Sequence, residues 1–332
     1  MTISRAKLGA ALLAASALVA GHEALAQREP LPSECRPPLR QCLGAPDRES
    51  CIVRSMQNLP DHCRKLISER ASARAGALPT GMREDAYGAD PRQKLDWGVP
   101  ANGSGKSPLL VFVHGGGWSI GDKRMGAGQK GQHFLGQGWA FASTNYRLVP
   151  QATVEQQAAD IASAVAWLRQ QPGVDPNRIV LMGHSAGAHL AALVSTDPTY
   201  LRAAGVPMDA IRGVVLLDGA GYDVGEQMAL PGNLVKTMYE QAFSKDPARQ
   251  AKLSPARHAA APNAANWLIL PVASRRDSTA QSQNLAAKLR AGGSKAIVSP
   301  QAGKTHGSLN RELGVPGDPS TAEVDRFLAG LR

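Results

Sequence analysis

From residue 109 to residue 299, short apolar runs alternate with longer stretches whose apolar positions recur at helical spacing. Leu109 to Val113, Ala140 to Thr144, Ile179 to Met182, Val214 to Leu217, Trp267 to Ala273 and Ala296 to Ser299 read as strands, short and rich in β-branched or aromatic residues. Val154 to Gln170, Ala186 to Ser195 and Thr279 to Ala291 read as helices, with Ala322 to Leu331 as a terminal one. Strands that take turns with helices predict βαβ units, and hence an α/β three-layer sandwich around a mostly parallel central sheet. Residues 109–332 form this main domain. Before it, residues 71–108 read as a linker rich in Ala, Gly, Pro and Ser, carrying one edge strand at Lys94 to Val99. Residues 222–266 break the alternation, hold one predicted helix from Asn233 to Phe243, and read as an insertion over one end of the sheet.

The first 70 residues follow another pattern. Arg5 and Lys7 precede an apolar stretch from Leu8 to Ala20, and Ala24-Leu25-Ala26 ends it as a small-x-small site. That is an export signal with cleavage expected after Ala26, which places the chain in the periplasm or outside the cell. The stretch is too short to span ~30 Å of hydrocarbon at ~1.5 Å per residue, and no later segment is long enough, so no membrane insertion is expected. All four cysteines, Cys35, Cys42, Cys51 and Cys63, lie in the module at residues 27–70. In an oxidising compartment the spacing C-x6-C-x8-C-x11-C favours two disulfides over a zinc site, and no metal is expected.

Composition changes this picture little. Hydrophobic residues make up 43% and charged residues 19% of the 332, enough to bury a core. The net charge of +10 raises the question of nucleic acid, but Lys and Arg are scattered among acids, with no interleaved aromatics, and read as a solvated surface.

Three glycine-rich stretches compete as chemical motifs. Gly126-Ala-Gly-Gln-Lys-Gly131 fits a dinucleotide fingerprint, but it lies twelve residues past the nearest strand and no acid follows at the ribose distance. Gly103-Ser-Gly-Lys-Ser107 lacks the first glycine of a phosphate loop and precedes a strand instead of following one. Gly183-His184-Ser185-Ala186-Gly187 sits between a predicted strand and a predicted helix, where a sharp turn projects a serine hydroxyl and needs small neighbours. Ser185 is the candidate nucleophile. An oxyanion formed by its attack needs N–H donors, and His114-Gly115-Gly116-Gly117-Trp118 follows a strand with unobstructed glycine amides. Gly116, Gly117 and Ala186 are the expected donors. With the chain order Ser, acid, His, only His258 and His306 remain as bases, and His306, past the last strand, is preferred. For the acid, Asp277 after the strand at Trp267 is preferred, with Asp218 the rival, and Arg275 and Arg276 are read as solvated. Trp118, Tyr222 and Met228 are candidates for an acyl or aryl pocket, with core or lid packing as the alternative.

These motifs resemble the α/β-hydrolase superfamily over residues 85–332, closest to hormone-sensitive-lipase-like esterases and the kynurenine formamidase-like and feruloyl-esterase-like carboxylesterases. His114 to Trp118 is similar to that branch's oxyanion loop, Gly183 to Gly187 to its elbow, and Asn145-Tyr146-Arg147-Leu148-x-Pro150 to its approach to the next helix. The resemblance implies acyl-enzyme hydrolysis of a small carboxylic or aryl ester by Ser185, His306 and Asp277, with no cofactor and no set oligomeric state. An amidase or formamidase, and a binding protein that kept the fold without catalysis, are the competing readings. The cysteine pattern resembles the helical repeats of some secreted proteins, which implies a hairpin with Cys35 and Cys42 on one helix face, pairing Cys42 with Cys51 and Cys35 with Cys63.

Overall fold

The computed structural model describes residues 30–36, 39–44, 51–52, 55–56, 58–74, 78–101, 105–230 and 236–331. The expected export signal, residues 45–50 of the expected hairpin and the start of the predicted helix at Asn233 lie outside these residues.

Eight strands form one sheet: β1 Met82–Ala86, β2 Lys94–Gly98, β3 Ser107–Val113, β4 Ala140–Thr144, β5 Val174–His184, β6 Ile211–Leu217, β7 Asn266–Leu270 and β8 Lys295–Val298. Their order is β1-β2-β4-β3-β5-β6-β7-β8, with β2 antiparallel to both its neighbours β1 and β4 and every other pair parallel. Leu109, Val111 and Val113 of β3 point into one core, and Leu110 and Phe112 into the other. This period of two, with both faces apolar, is why the strand reads as a continuous hydrophobic run.

Eleven helices among the described residues are used below: α1 Asp61–Arg74, α2 Lys123–Gly136, α3 Val154–Leu168, α4 Ala186–Thr196, α5 Pro198–Ala203, α6 Val224–Ala229, α7 Lys236–Phe243, α8 Pro247–Lys252, α9 Arg276–Ala291, α10 His306–Glu312 and α11 Pro319–Ala329. One sheet face packs on α3, α4 and α9, the other on α2, α10 and α11. Thr153 opens α3 with a capping box, bonding the Gln156 amide while the Gln156 side chain returns to the Thr153 amide.

The chain runs from β3 to β4 on one side of the sheet and then crosses to β5 on the other side of β3. Strand order reverses at β3 and β5, and ligands of open α/β sheets bind in the crevice at the carboxyl ends of such a pair. The His114 loop follows β3 there, and Ser185 follows β5.

Two expectations about elements change. The strand at Lys94 is not an edge, because Met82–Ala86 pairs outside it. Gly126 to Gly131, set aside above as a dinucleotide loop, lies inside α2, where a Cβ on Gly131 would meet the flexible Met82 side chain at 2.7 Å from Sδ. Cys35 and Cys42 sit on separate 3-10 turns, Ser33–Cys35 and Leu39–Cys42, not on one helix face. Arg36 between them is extended, as a residue preceding Pro37 must tend to be. Disulfides join Cys35 to Cys63 at the start of α1 and Cys42 to Cys51.

Candidate active site

Ser185 adopts φ 55° and ψ −121°, a strained conformation between β5 and α4. It is held there by its amide, which donates to the Leu217 carbonyl of β6 at 3.0 Å. The flanking glycines are required by backbone contact. A Cβ on Gly183 would lie 2.1 Å from the Gly187 carbonyl oxygen, and one on Gly187 would lie 2.2 Å from that of Val113. From Ile179 to Asp197 every residue except Ser185 is buried, so the turn presents a single side chain outward.

The oxyanion-loop candidates lie opposite. Gly116 and Gly117 have φ of 118° and 57°, values that favour glycine, and a Cβ on Gly115 would come within 3.0 Å of Ser185 Cβ. The loop is pinned from behind. His114 Nδ1 lies 2.7 Å from the Gly115 carbonyl, and the Tyr146 hydroxyl donates to the His114 carbonyl at 2.9 Å while the two rings stack. Burial pulls His114 down to about 4, so it is a neutral brace. Gln157 Nε2 donates to the Trp118 carbonyl, and Arg92 ties Gly121 to Tyr146 through their carbonyls. Ala186 opens α4, whose first amides have no helical partner.

His306 opens α10, where Thr305 caps the helix through the Ser308 amide. His184, the neighbour of Ser185, lies against it: the ring centroids are 4.5 Å apart, and His184 Nε2 is 2.9 Å from the His306 carbonyl. Burial, followed by the charge of His306, depresses His184 well below the ordinary histidine range, which leaves it a neutral donor to that carbonyl. His258 bonds the Lys252 carbonyl instead.

The acid differs from the expectation. Asp218 Oδ2 lies 2.6 Å from His306 Nδ1, and Asp277 makes no such bond; it contacts Arg275 and Gln227, each at 3.3 Å. Asp218 stands at the end of β6 with φ 44°, and its Oδ1 accepts the Val272 amide at 2.9 Å. Burial pushes its carboxyl up, but the His306 hydrogen bond and the Arg275 charge overcome that and hold it well below the usual range. Asp277 fails for a geometric reason: it lies in the first turn of α9, beyond Arg275, whose side chain reaches Asp218 first. Arg275, expected to be solvated, has Nη1 2.7 Å from Asp218 Oδ2 and is 21% exposed, whereas Arg276 is exposed. Sequence order alone could not choose, since both acids fall between Ser185 and His306.

The pocket candidates are core. Trp118 and Tyr222 are buried, and Trp118 packs edge-on against His189, Tyr239 and Phe243, which brings the helix Lys236–Phe243 against the loop after β3. Met228 is half-buried against the same cluster. A cavity of about 740 Å³ lies elsewhere, beside Ser119 and Ile120 at the end of that loop. Arg92 and Leu148 also line it, and His62 and Arg64 of α1 bring the cysteine module to its wall. Sequence reasoning missed it because helix and loops far apart in the chain build it.

This architecture is the α/β-hydrolase fold, with a serine elbow and an acid after the sixth strand. Residues 95–203 match the family model described as BD-FAE. Over 114 residues, 33% of this chain and 27% of the relative, it is 39% identical to a probable isoprenylcysteine alpha-carbonyl methylesterase of Oryza sativa subsp. japonica. Over 125 residues, 36% of the chain and 31% of the relative, it is 35% identical to esterase LipC of Mycobacterium tuberculosis. The chain thus matches less than a third of the length of these relatives. Among solved structures, Thermogutta terrifontis esterase 2 is 22% identical with a TM-score of 0.63, covering 77% of this chain and 96% of that one. Esterase B of Lactobacillus Rhamnosis is 20% identical with a TM-score of 0.66, covering 85% and 94%.

Proposed function

We propose that the protein is a serine ester hydrolase acting on small carboxylic or aryl esters through Ser185, His306 and Asp218. The observation that carries the reading is the Asp218–His306 pair, packed through His184 against the strained turn that bears Ser185. Next to a carboxylate, His306 keeps its proton on Nδ1 and leaves Nε2 to accept the Ser185 proton. The serine oxygen attacks the ester carbonyl, and the amides of Gly116, Gly117 and Ala186 receive the oxyanion. The alkoxide or phenoxide leaves with the proton from Nε2, and water then hydrolyses the acyl-enzyme by the same route in reverse. No metal or cofactor enters these steps. The esterase names of the relatives support the ester class.

Export of the chain is supported by the pattern of residues 1–26 and by the two disulfides. Among the described residues no helix is long and apolar enough to cross a membrane.

The test is turnover of short p-nitrophenyl esters, feruloyl esters and N-formylkynurenine side by side. Hydrolysis of the first set, lost in Ser185→Ala, is expected. N-formylkynurenine as the sole substrate would make the chain an amidase, and no turnover of any would leave a binding protein on a hydrolase scaffold.

A further inference from the structure

Arg275 sits where it alters the chemistry of the pair it touches. Asp218 Oδ2 receives two donors, His306 Nδ1 at 2.6 Å and Arg275 Nη1 at 2.7 Å, and the two nitrogens are 2.8 Å apart. Two protons aimed at one carboxylate oxygen explain that triangle; a lone pair on Nδ1 would instead face the charged oxygen. The guanidinium is held from its far side by Asp277, 3.3 Å from Nη2. It is thus an anchored cation between two carboxylates, one of them 0% exposed, and it lies beside the histidine that must become charged when Ser185 attacks.

Resting on the reading of Ser185, His306 and Asp218 as the reacting set, we propose that Arg275 is a positioning residue: it locks Asp218 against His306 and, by its charge, resists protonation of His306 in mildly acid medium. An active base must be uncharged before each turnover, and an adjacent cation disfavours a second positive charge. The groups that face His306 are Asp218 at the end of β6, Arg275 after β7 and His184 at the end of β5, with Asp277 one step removed behind Arg275. Asp218 favours a charged imidazole. His184 is neutral through its burial, which leaves Arg275 as the group opposing Asp218.

The experiment compares kcat/KM against pH for p-nitrophenyl butyrate in the wild type, Arg275→Gln, Arg275→Lys and Ser185→Ala, with thermal unfolding run on each. Glutamine can still donate to Asp218 but lacks the charge, so its acid limb is expected to move up by about one pH unit, with the plateau above neutrality within tenfold of wild type. Lysine keeps the charge and is expected to hold the limb near its wild-type place. A limb that stays put in Arg275→Gln, or a loss of rate that is uniform across pH, overturns the proposal and leaves Arg275 a structural ion pair. If Arg275→Gln does not fold, a limb that rises in Arg275→Lys as far as one unit overturns it equally. Full activity in Ser185→Ala would instead remove the underlying reading, and this proposal with it.

Discussion

Replacing Asp218 with Asn tests the reassigned acid, because the site predicts how the amide must sit. Oδ1 accepts the Val272 amide at 2.9 Å, and Oδ2 accepts from both His306 and Arg275. An asparagine that keeps its oxygen toward Val272 turns its NH2 toward His306 and Arg275, where two donors already point. His306 can then bond it only by offering the Nδ1 lone pair, which moves its proton to Nε2, the nitrogen that must accept from Ser185. Rotating the amide the other way restores the bonds from His306 and Arg275 but sets NH2 against the buried Val272 N–H. The productive tautomer then survives only at the cost of that donor–donor contact, and triads with this lesion lose up to ~10⁴ in kcat, about 5.5 kcal/mol at ~1.36 kcal/mol per decade. Asp277→Asn loses only contacts at 3.3 Å on a partly exposed carboxylate, and its kcat should stay within about fivefold of wild type. Initial rates at saturating p-nitrophenyl butyrate, with thermal unfolding to exclude loss of fold, measure both. A crippled Asp277→Asn beside a nearly normal Asp218→Asn would refute the assignment.

Further outcomes follow from packing and charge. Gly187→Ala drives a methyl to 2.2 Å from the Val113 carbonyl oxygen, where only backbone could yield, and should destabilise by about 3 kcal/mol in urea unfolding; a loss under ~0.5 kcal/mol would mean that the elbow can relax. Lys130, buried beside the Phe112 ring, is pulled from 10.5 down to about 7 by burial. Between those values the unfolded chain binds more protons than the folded one, so stability should rise from pH 7 to pH 9, by at most ~1.4 kcal/mol per unit; Lys130→Met should flatten that rise, and an equal slope in both would contradict the burial argument. Peptide mapping without reductant should return Cys35 linked to Cys63 and Cys42 to Cys51, and reduction should expose α1 to protease before the sheet; free thiols in the protein purified without reductant would contradict this.

The parts of the site that were legible in the sequence are those fixed by local chemistry. Ser185 stood out because a strand, a small-residue turn and a helix follow one another within about twenty residues. The glycines of residues 115–117 stood out because positive φ and close backbone approach leave a local signature. The acid was not legible, since Asp218 and Asp277 both satisfy chain order and only the path of β6 and the reach of Arg275 separate them. The strand Met82–Ala86 was missed because an edge strand facing solvent reads Met-Arg-Glu-Asp-Ala and carries no apolar run. Helix α2 was missed because its glycines lower its helical propensity, and the packing of Gly131 near Met82 is long-range. The disulfide pairing implied for the cysteine module coincides with the bridges present, although Cys35 and Cys42 lie on separate 3-10 turns and not on the single helix face from which it was inferred.

The central claim is that Ser185 is the nucleophile of an ester hydrolase. Incubation of the purified full chain with a fluorophosphonate, followed by mass spectrometry of its peptides, tests it most directly. One phosphonylated residue, Ser185, is expected, with p-nitrophenyl butyrate turnover falling as label accumulates and both label and turnover absent in Ser185→Ala. Labelling at another residue, or turnover that persists after Ser185 is fully modified, would contradict it.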